Sequence, residues 1–211
     1  MADAAGLAAL PRGRHSLSRE EVATAQKLRL AVATADAMAE KGYVGTPVAD
    51  ILRRAGVSRQ SFYEHYRDKH ECFLDALDLA GAVLVAQLGT EAGRRGGSPL
   101  ERAQRAVDRY LRTIAAEPAF ARLYLVEVHA AGPEAVERRA ALQAGIVDAL
   151  AHLLGARGAS ARFACQAFVA AVASLVAVPL VKGDLDAVLA LRRPLQRLLA
   201  DLVEGPLAPR Q

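Results

Sequence analysis

Between Gly42 and Phe73 the chain carries a closely spaced series of helix stops and starts that leaves few folds open. Gly42 ends one amphipathic run; Thr46 and Pro47 begin the next as N-cap and first helical residue; Gly56 ends it; Ser58 caps a third helix and Asp68 a fourth. The second helix has room for only about three turns, and the turn Ala55-Gly56-Val57 separates it from the third. Two short helices across a tight glycine turn make a helix-turn-helix unit, whose second helix can enter a DNA major groove.

The rest of the chain is patterned in the same way. Ser18 and Glu21 form a capping box ahead of Leu28, Ala31, Val32, Ala35, Met38 and Ala39, an apolar stripe at helical spacing. Val48, Ile51, Leu52 and Ala55 face inward on the second helix. After the fourth helix, "KHECFLDALDLAGAVLVAQL", a glycine-rich loop is expected over Gly89 to Ser98. Pro99, Pro118 and Pro133 each open a helix, Ser160 is expected to cap an apolar helix to Val181, and a last helix starts at Leu185 with a kink at Pro194. Runs of alternating β-branched residues and Asn-Gly or Asp-Gly hairpin signals are absent. The spacing therefore predicts an all-α fold of nine helices: a flexible basic arm over 1–17, a helix-turn-helix head over 18–67, and a helical domain over 68–211.

Aromatic placement points to what the head does. The chain has 5 Phe and 5 Tyr, yet Phe62, Tyr63, Tyr66 and Phe73 fall together among Arg59, His65, Arg67, Lys69 and His70. On a helical wheel Val57, Phe62 and Tyr66 turn inward as packing residues, while Arg59, Gln60, Ser61, Tyr63, Glu64 and His65 cover the outer arc. Arg59 and Gln60 are the side chains suited to bidentate contacts with guanine and adenine edges. Tyr63 and His65 can donate to phosphate oxygens and fix register. Glu64 either accepts from cytosine or repels phosphate. Lys69, at the amino end of the fourth helix, is either a phosphate clamp or a solvated surface lysine. Charge agrees with a basic head: residues 1–70 hold 11 Lys/Arg against 8 Asp/Glu, a balance of +3, whereas the remainder of the chain contributes only +1 of the net +4. Arg12 and Arg14 on the amino-terminal arm either reach a minor groove or stay solvated.

"GYVGTPVADILRRAGVSRQSFYEHYRDKHECFLDAL", residues 42–77, resembles the DNA-binding head of TetR-family transcriptional regulators. The likeness rests on Gly42, Tyr43, Thr46, the Ala55–Ser58 turn, Tyr63, His65, Tyr66 and Lys69, with Tyr66 standing where Phe is more usual. The resemblance implies DNA contacts from Thr46, Arg59, Gln60, Ser61, Tyr63, His65 and Lys69. It also implies a homodimer built through the last two helices, a palindromic double-stranded DNA operator, and a small-molecule effector in the carboxy-terminal domain whose binding releases DNA. The same fold also serves activators.

The remaining sequence is compatible with that scheme. Val188, Leu191, Leu195, Leu198 and Leu202 recur at three and four, and Phe168, Val172, Leu175, Val176 and Pro179 give the preceding helix a matching apolar side. These stripes either form a four-helix interface, with Phe168, Val172, Leu175, Leu195, Leu198 and Leu202 as its contacts, or serve the core of one chain. Tyr110, Phe120, Tyr124 and Phe163 are large residues expected at a mostly apolar ligand site, with Glu127 among them. Glu127 either orients a ligand or pairs with an arginine such as Arg112.

Other functions have little sequence behind them. No nucleotide-binding, zinc-protease or nucleophile-elbow motif is present, so no enzyme is expected, nor any cofactor. His70 and Cys72 lie two apart and point to different faces of a helix, a poor start for a metal site even with His65 nearby. Cys72 and Cys165 are expected as reduced, buried thiols. Ala164 to Val181 is uncharged and barely long enough to span a membrane, but includes Gln166, Ser174 and Pro179, and is expected as a core or interface helix of a cytoplasmic protein.

Overall fold

A computed structural model of the chain describes residues 18–93 and 96–205; the Arg12 and Arg14 arm lies outside them. Among the described residues every regular element is helical. They are α1 (Arg19–Gly45), α2 (Val48–Ala55), α3 (Arg59–His65), α4 (Lys69–Gly93), α5 (Pro99–Ala116), α6 (Pro118–Arg122), a π-helical stretch (Leu123–Glu127), α7 (Val128–Ala131), α8 (Pro133–Leu154), α9 (Gly158–Lys182), α10 (Leu185–Ala190) and α11 (Arg192–Glu204). The three segments over 118–131 run on as one rod and the two over 185–204 as another, which gives the nine helices that the spacing predicts. The described residues cluster into two compact units, one up to Ala76 and one from Leu77 onward, called head and body below; the division falls within α4.

In the head, the Ser18–Glu21 capping box starts α1, with Ser18 Oγ accepting from the Glu21 N–H at 3.1 Å. The buried face of α1 is broader than one stripe: Leu30, Ala31, Ala33, Thr34, Ala35, Ala37 and Met38 are all buried, and Val32 is exposed. Alanine after Leu30 and on both flanks of Met38 leaves room for neighbouring backbone, so burial extends beyond the large side chains that a wheel emphasises. The chain leaves helical geometry at Gly42 (φ 71°), where a side chain would be strained, and then resumes a turn to Gly45. This break sets up a correction at Thr46. Its hydroxyl is not the N-cap of α2, because it turns back to α1, donating to the Gly42 carbonyl at 2.7 Å and sharing with the Ala37 carbonyl at 3.2 Å. Pro47, extended and without a capping side chain, occupies the N-cap instead. Gly56 ends α2 in the left-handed conformation, Ser58 Oγ caps α3 by accepting from the Ser61 N–H at 3.0 Å, and Asp68 accepts from the Glu71 N–H at 2.9 Å to open α4. Leu30, Met38, Ile51, Phe62 and Phe73 are fully buried in the head, each contributing on the order of 1.5–3 kcal/mol through the area it removes from water.

In the body, α5 packs against α8, α10 and α11, and α8 packs against α9. Three expectations move. Helix α4 continues through Gly89 as far as Gly93; α9 begins at Gly158, so that Ser160 lies inside its first turn and caps nothing; and the break in the last rod falls at Leu191. That last shift follows from proline geometry: the ring of Pro194 conflicts with the carbonyl four residues earlier, that of Ala190, so the disruption appears upstream of the proline itself. Helix α9 buries Ala161, Ala164, Cys165, Phe168, Val172, Val176 and Leu180 at three- and four-residue steps. Phe168 and Val172, expected at a dimer contact, are therefore part of the core of a single chain, as is Leu195. The physical reason is that an apolar stripe has the same spacing whichever helix it meets. Phe163, Leu175, Val178 and Val181 of α9 and Leu198 of α11 are exposed, and Leu202 is half-buried. α9 is also the one described helix long and apolar enough to cross a membrane.

Candidate nucleic-acid interface and ligand cavity

Two of the aromatic residues anchor α3 to the head. Phe62 is fully buried and meets Tyr66 with ring centroids 5.6 Å apart. The Tyr66 hydroxyl donates to Asp75, and burial together with that carboxylate raises the phenol well above its ordinary pKa. With that side fixed, α3 exposes Arg59, Gln60, Tyr63 and Glu64. Tyr63 is 49% exposed, and the Arg59 guanidinium sits 5.9 Å from its ring centre, close enough for a cation–π contact. Gln60 donates to Glu64 at 3.2 Å, one turn along the same face.

The other head residues singled out by sequence are less free. Ser61 is half-buried and its Oγ accepts from the Ser58 hydroxyl at 3.0 Å. His65 is half-buried with its Nε2 2.7 Å from Gln26 Oε1 on α1. Thr46 is fully buried, so its side chain cannot reach DNA and its expected contact is withdrawn. Lys69 is neither a free clamp nor a solvated surface lysine. Its Nζ donates to the carbonyls of Tyr43 at 2.7 Å and Thr46 at 3.0 Å and lies 4.6 Å from the Tyr43 ring centre. Burial lowers its pKa. Two of three ammonium donors thus tie the segment after the Gly42 break to the start of α4, and one remains for an outside acceptor. His70 Nδ1 lies 3.3 Å from the Tyr43 hydroxyl, and Cys72 lies buried 3.2 Å from Thr34 Oγ1, its thiol pushed up by burial to about 11. Both cysteines are free thiols, and no cluster of His, Cys, Asp or Glu suited to a metal occurs among the described residues.

Asp50 completes the framework of the head. It is buried on α2 and held by Lys41 of α1 and by Arg53 at 2.7 Å. The hydrogen bond from Lys41, with the two positive charges, holds its carboxyl below the usual range.

The body contains a cavity of about 50 Å³ between α5, α8, α9 and the π-helical stretch. Its wall is almost wholly apolar, with Val107, Ile146, Leu150, Phe168 and Val172, and the polar residues that line it are Tyr110, Tyr124, Arg139 and Gln143. Tyr110 and Tyr124 are thus brought together on one cavity. Phe120, Glu127 and Phe163 are not among its lining residues. Phe163 lies on the outer side of α9 at 68% exposure, and buried Glu127 accepts from Arg122 at 3.2 Å, while Arg112, the suggested partner, pairs with Asp108. The cause is the π-helical stretch. A turn with one extra residue shifts every later side chain around the axis, so the face that Phe120, Tyr124 and Glu127 share on an α-helical wheel is not preserved. Arg139 and Gln143 escaped the sequence reading, although Arg139, Gln143, Ile146 and Leu150 follow the four-three-four spacing of an inward face; two polar residues in line with an apolar stripe were the available signal.

A trihelical helix-turn-helix head followed by a helical body with an apolar cavity is the architecture of a class of DNA-binding regulator. Residues 30–76 match the family model of bacterial regulatory proteins, tetR family. Among solved structures, a transcriptional regulator from Rhodococcus sp. Rha1 is similar at 26% identity and TM-score 0.70, over 87% of this chain and 99% of that one. The fatty acid degradation regulator FadR from Bacillus halodurans aligns at 20% identity and TM-score 0.71 over 81% and 96% of the two chains. The transcriptional regulator FadR from Bacillus subtilis, in complex with stearoyl-CoA, aligns at 16% identity and TM-score 0.71 over 82% and 96%. A comparison with curated proteins returns no match. Residues 30–76 thus carry the DNA-binding domain of bacterial regulatory proteins of the tetR family, and most of the chain shares the fold of such transcriptional regulators.

Proposed function

We propose that the protein is a homodimeric, cytoplasmic transcriptional repressor that binds a palindromic operator and is released when a small, mostly apolar molecule enters the body cavity. The observation that carries this reading is the outer face of α3, where Arg59, Gln60 and Tyr63 stand exposed on a helix whose inner face is locked by Phe62 and Tyr66. Arg59 and Gln60 read base edges; Tyr63, with Ser61, His65 and the remaining donor of Lys69, holds phosphates. The exposed apolar residues of α9 and α11, Phe163, Leu175, Val178, Val181 and Leu198, supply the surface that a second copy would cover. Release requires only about 1–3 kcal/mol of coupling between cavity and head.

Selection of bound duplexes from a randomised pool tests the reading, with Arg59→Ala protein in parallel. The expected product is a palindrome with half-sites about one helical turn apart, and the variant relaxes one base position by about 1–3 kcal/mol. A pool left unenriched by folded wild-type protein, with and without cell extract as a source of effector, rejects it.

A further inference from the structure

The cavity holds a polar set that the fold itself leaves unused. Tyr124 is 2% exposed, yet its hydroxyl has no hydrogen-bond partner among the described residues. The Arg139 guanidinium lies 5.7 Å from the Tyr124 ring centre, and its buried Nε is likewise without a partner. Among the described residues no acidic side chain lines the cavity and Arg139 forms no ion pair. Its neighbour on α8 shows that this is not for want of carboxylates. Arg138, turned outward, binds Asp78 through two parallel bonds of 2.8 and 2.7 Å. Gln143, one turn beyond Arg139, adds an amide to the same wall. Burial raises both Tyr110 and Tyr124 above the ordinary phenol value, so each remains a neutral O–H donor at physiological pH.

A cation and phenolic donors facing an acid-free apolar space select among occupants. A purely neutral molecule that displaced water would leave the guanidinium desolvated and uncompensated, and a cationic one would be repelled. An anionic head accepts charge-assisted bonds from the arginine and a further bond from the phenol. We propose that the cavity takes an amphiphilic carboxylic acid, its carboxylate received by Arg139 and Tyr124 beside Gln143, its apolar part lying against Ile146, Leu150 and Phe168. This rests on the cavity being the effector site and narrows that reading to one chemical class.

Calorimetric titration of the full chain with two matched pairs, octanoate against octan-1-ol and 4-phenylbutyrate against 4-phenylbutan-1-ol, tests it. At least one acid is expected to bind about tenfold or more tightly than its alcohol, the difference that one charge-assisted contact supplies. Arg139→Gln removes the preference and leaves the affinity for the alcohol within about twofold, whereas Arg139→Lys, which keeps the charge, retains part of it. Circular dichroism establishes that both variants fold. Alcohols binding as well as acids, an intact preference in folded Arg139→Gln, or no binding of any of the four at about 1 mM overturns the proposal. DNA binding measured in the same samples separates the two readings. Acid preference without any change in DNA affinity supports the ligand class and rejects the effector role; DNA binding with no acid preference rejects the ligand class and leaves the regulator standing.

Discussion

In the head, the polar side chains that folding buries find partners close at hand: Thr46 with the Gly42 carbonyl, Asp50 with Lys41 and Arg53, Tyr66 with Asp75, and Lys69 with two carbonyls, Arg29 Nε being the exception among the described residues. In the body, the buried Tyr124 hydroxyl and the buried Nε of half-exposed Arg139 lie at the cavity without partners among the described residues. Buried polar groups that are satisfied rigidify a structure and fix one arrangement; unsatisfied ones are costly, and are tolerated where something else is to complete them. The contrast teaches that the head is built to hold a fixed surface, with variability confined to the exposed side chains of α3, whereas the body is built around an incomplete site.

The largest effect expected from this comparison is on the packing of the head. Phe62 is fully buried and supports Tyr63 and Tyr66 through edge and tilted ring contacts at 5.3 and 5.6 Å. Phe62→Ala should cost about 3–5 kcal/mol in urea unfolding and abolish sequence-specific DNA binding, although it removes no group from the α3 surface. A variant as stable as wild type would show that α3 is not held by this contact.

Thr46→Val comes next. The change preserves shape and removes only a hydroxyl, but it strips the Gly42 carbonyl of its 2.7 Å donor inside the head. The expected loss is about 1–3 kcal/mol in the same measurement. If the loss is instead negligible, the hydroxyl does not fix the Gly42 break, and the claim that the polar groups of the head serve its geometry fails at its clearest example.

Acid stability probes Asp50. Because its folded pKa lies below the unfolded value, its contribution is complete above the ordinary carboxylate pKa of about 3.9 and is lost as pH falls through the lowered folded value. The melting-temperature gap between wild type and Asp50→Asn should therefore be constant near neutrality and close only below about pH 4. A gap that narrows at higher pH would assign the effect to another group.

How much of this was legible in the sequence divides along the same line. The head is short, and each boundary in it is marked by a residue with local chemistry: Gly56 for a left-handed turn, Ser58 and Asp68 for caps, Phe62 and Tyr66 for the inner face. The misreading of Thr46 came from a hydroxyl that serves equally well to cap the helix after it or to close the one before it, a choice made by the Gly42 conformation. In the body, position depends on three-dimensional register. Spacing found the apolar stripe of α9 but not its occupant, so Phe168 and Val172 were set at an interface when they enclose the cavity. Nothing in "LYLVE" announces a π-helical turn, and that turn separates Tyr124 from Phe120 and Glu127.

The smallest expected effect is the most discriminating. Removing a hydroxyl that has a partner costs stability, whereas removing a buried one that has none relieves an unmet desolvation cost. Tyr124→Phe in the ligand-free protein should accordingly leave the stability of the body unchanged or slightly raised, within about 0.5 kcal/mol, although the residue is as buried as Thr46 is in the head. The same variant should lose affinity for a carboxylic acid and not for the matching alcohol, because the phenol then contributes only when a ligand is present. A loss of a kilocalorie or more in the empty protein, on the order of a typical satisfied hydrogen bond, would mean that the Tyr124 hydroxyl already has a partner in solution. The cavity would then be complete without a ligand, and head and body would not differ in the way their buried polar groups suggest.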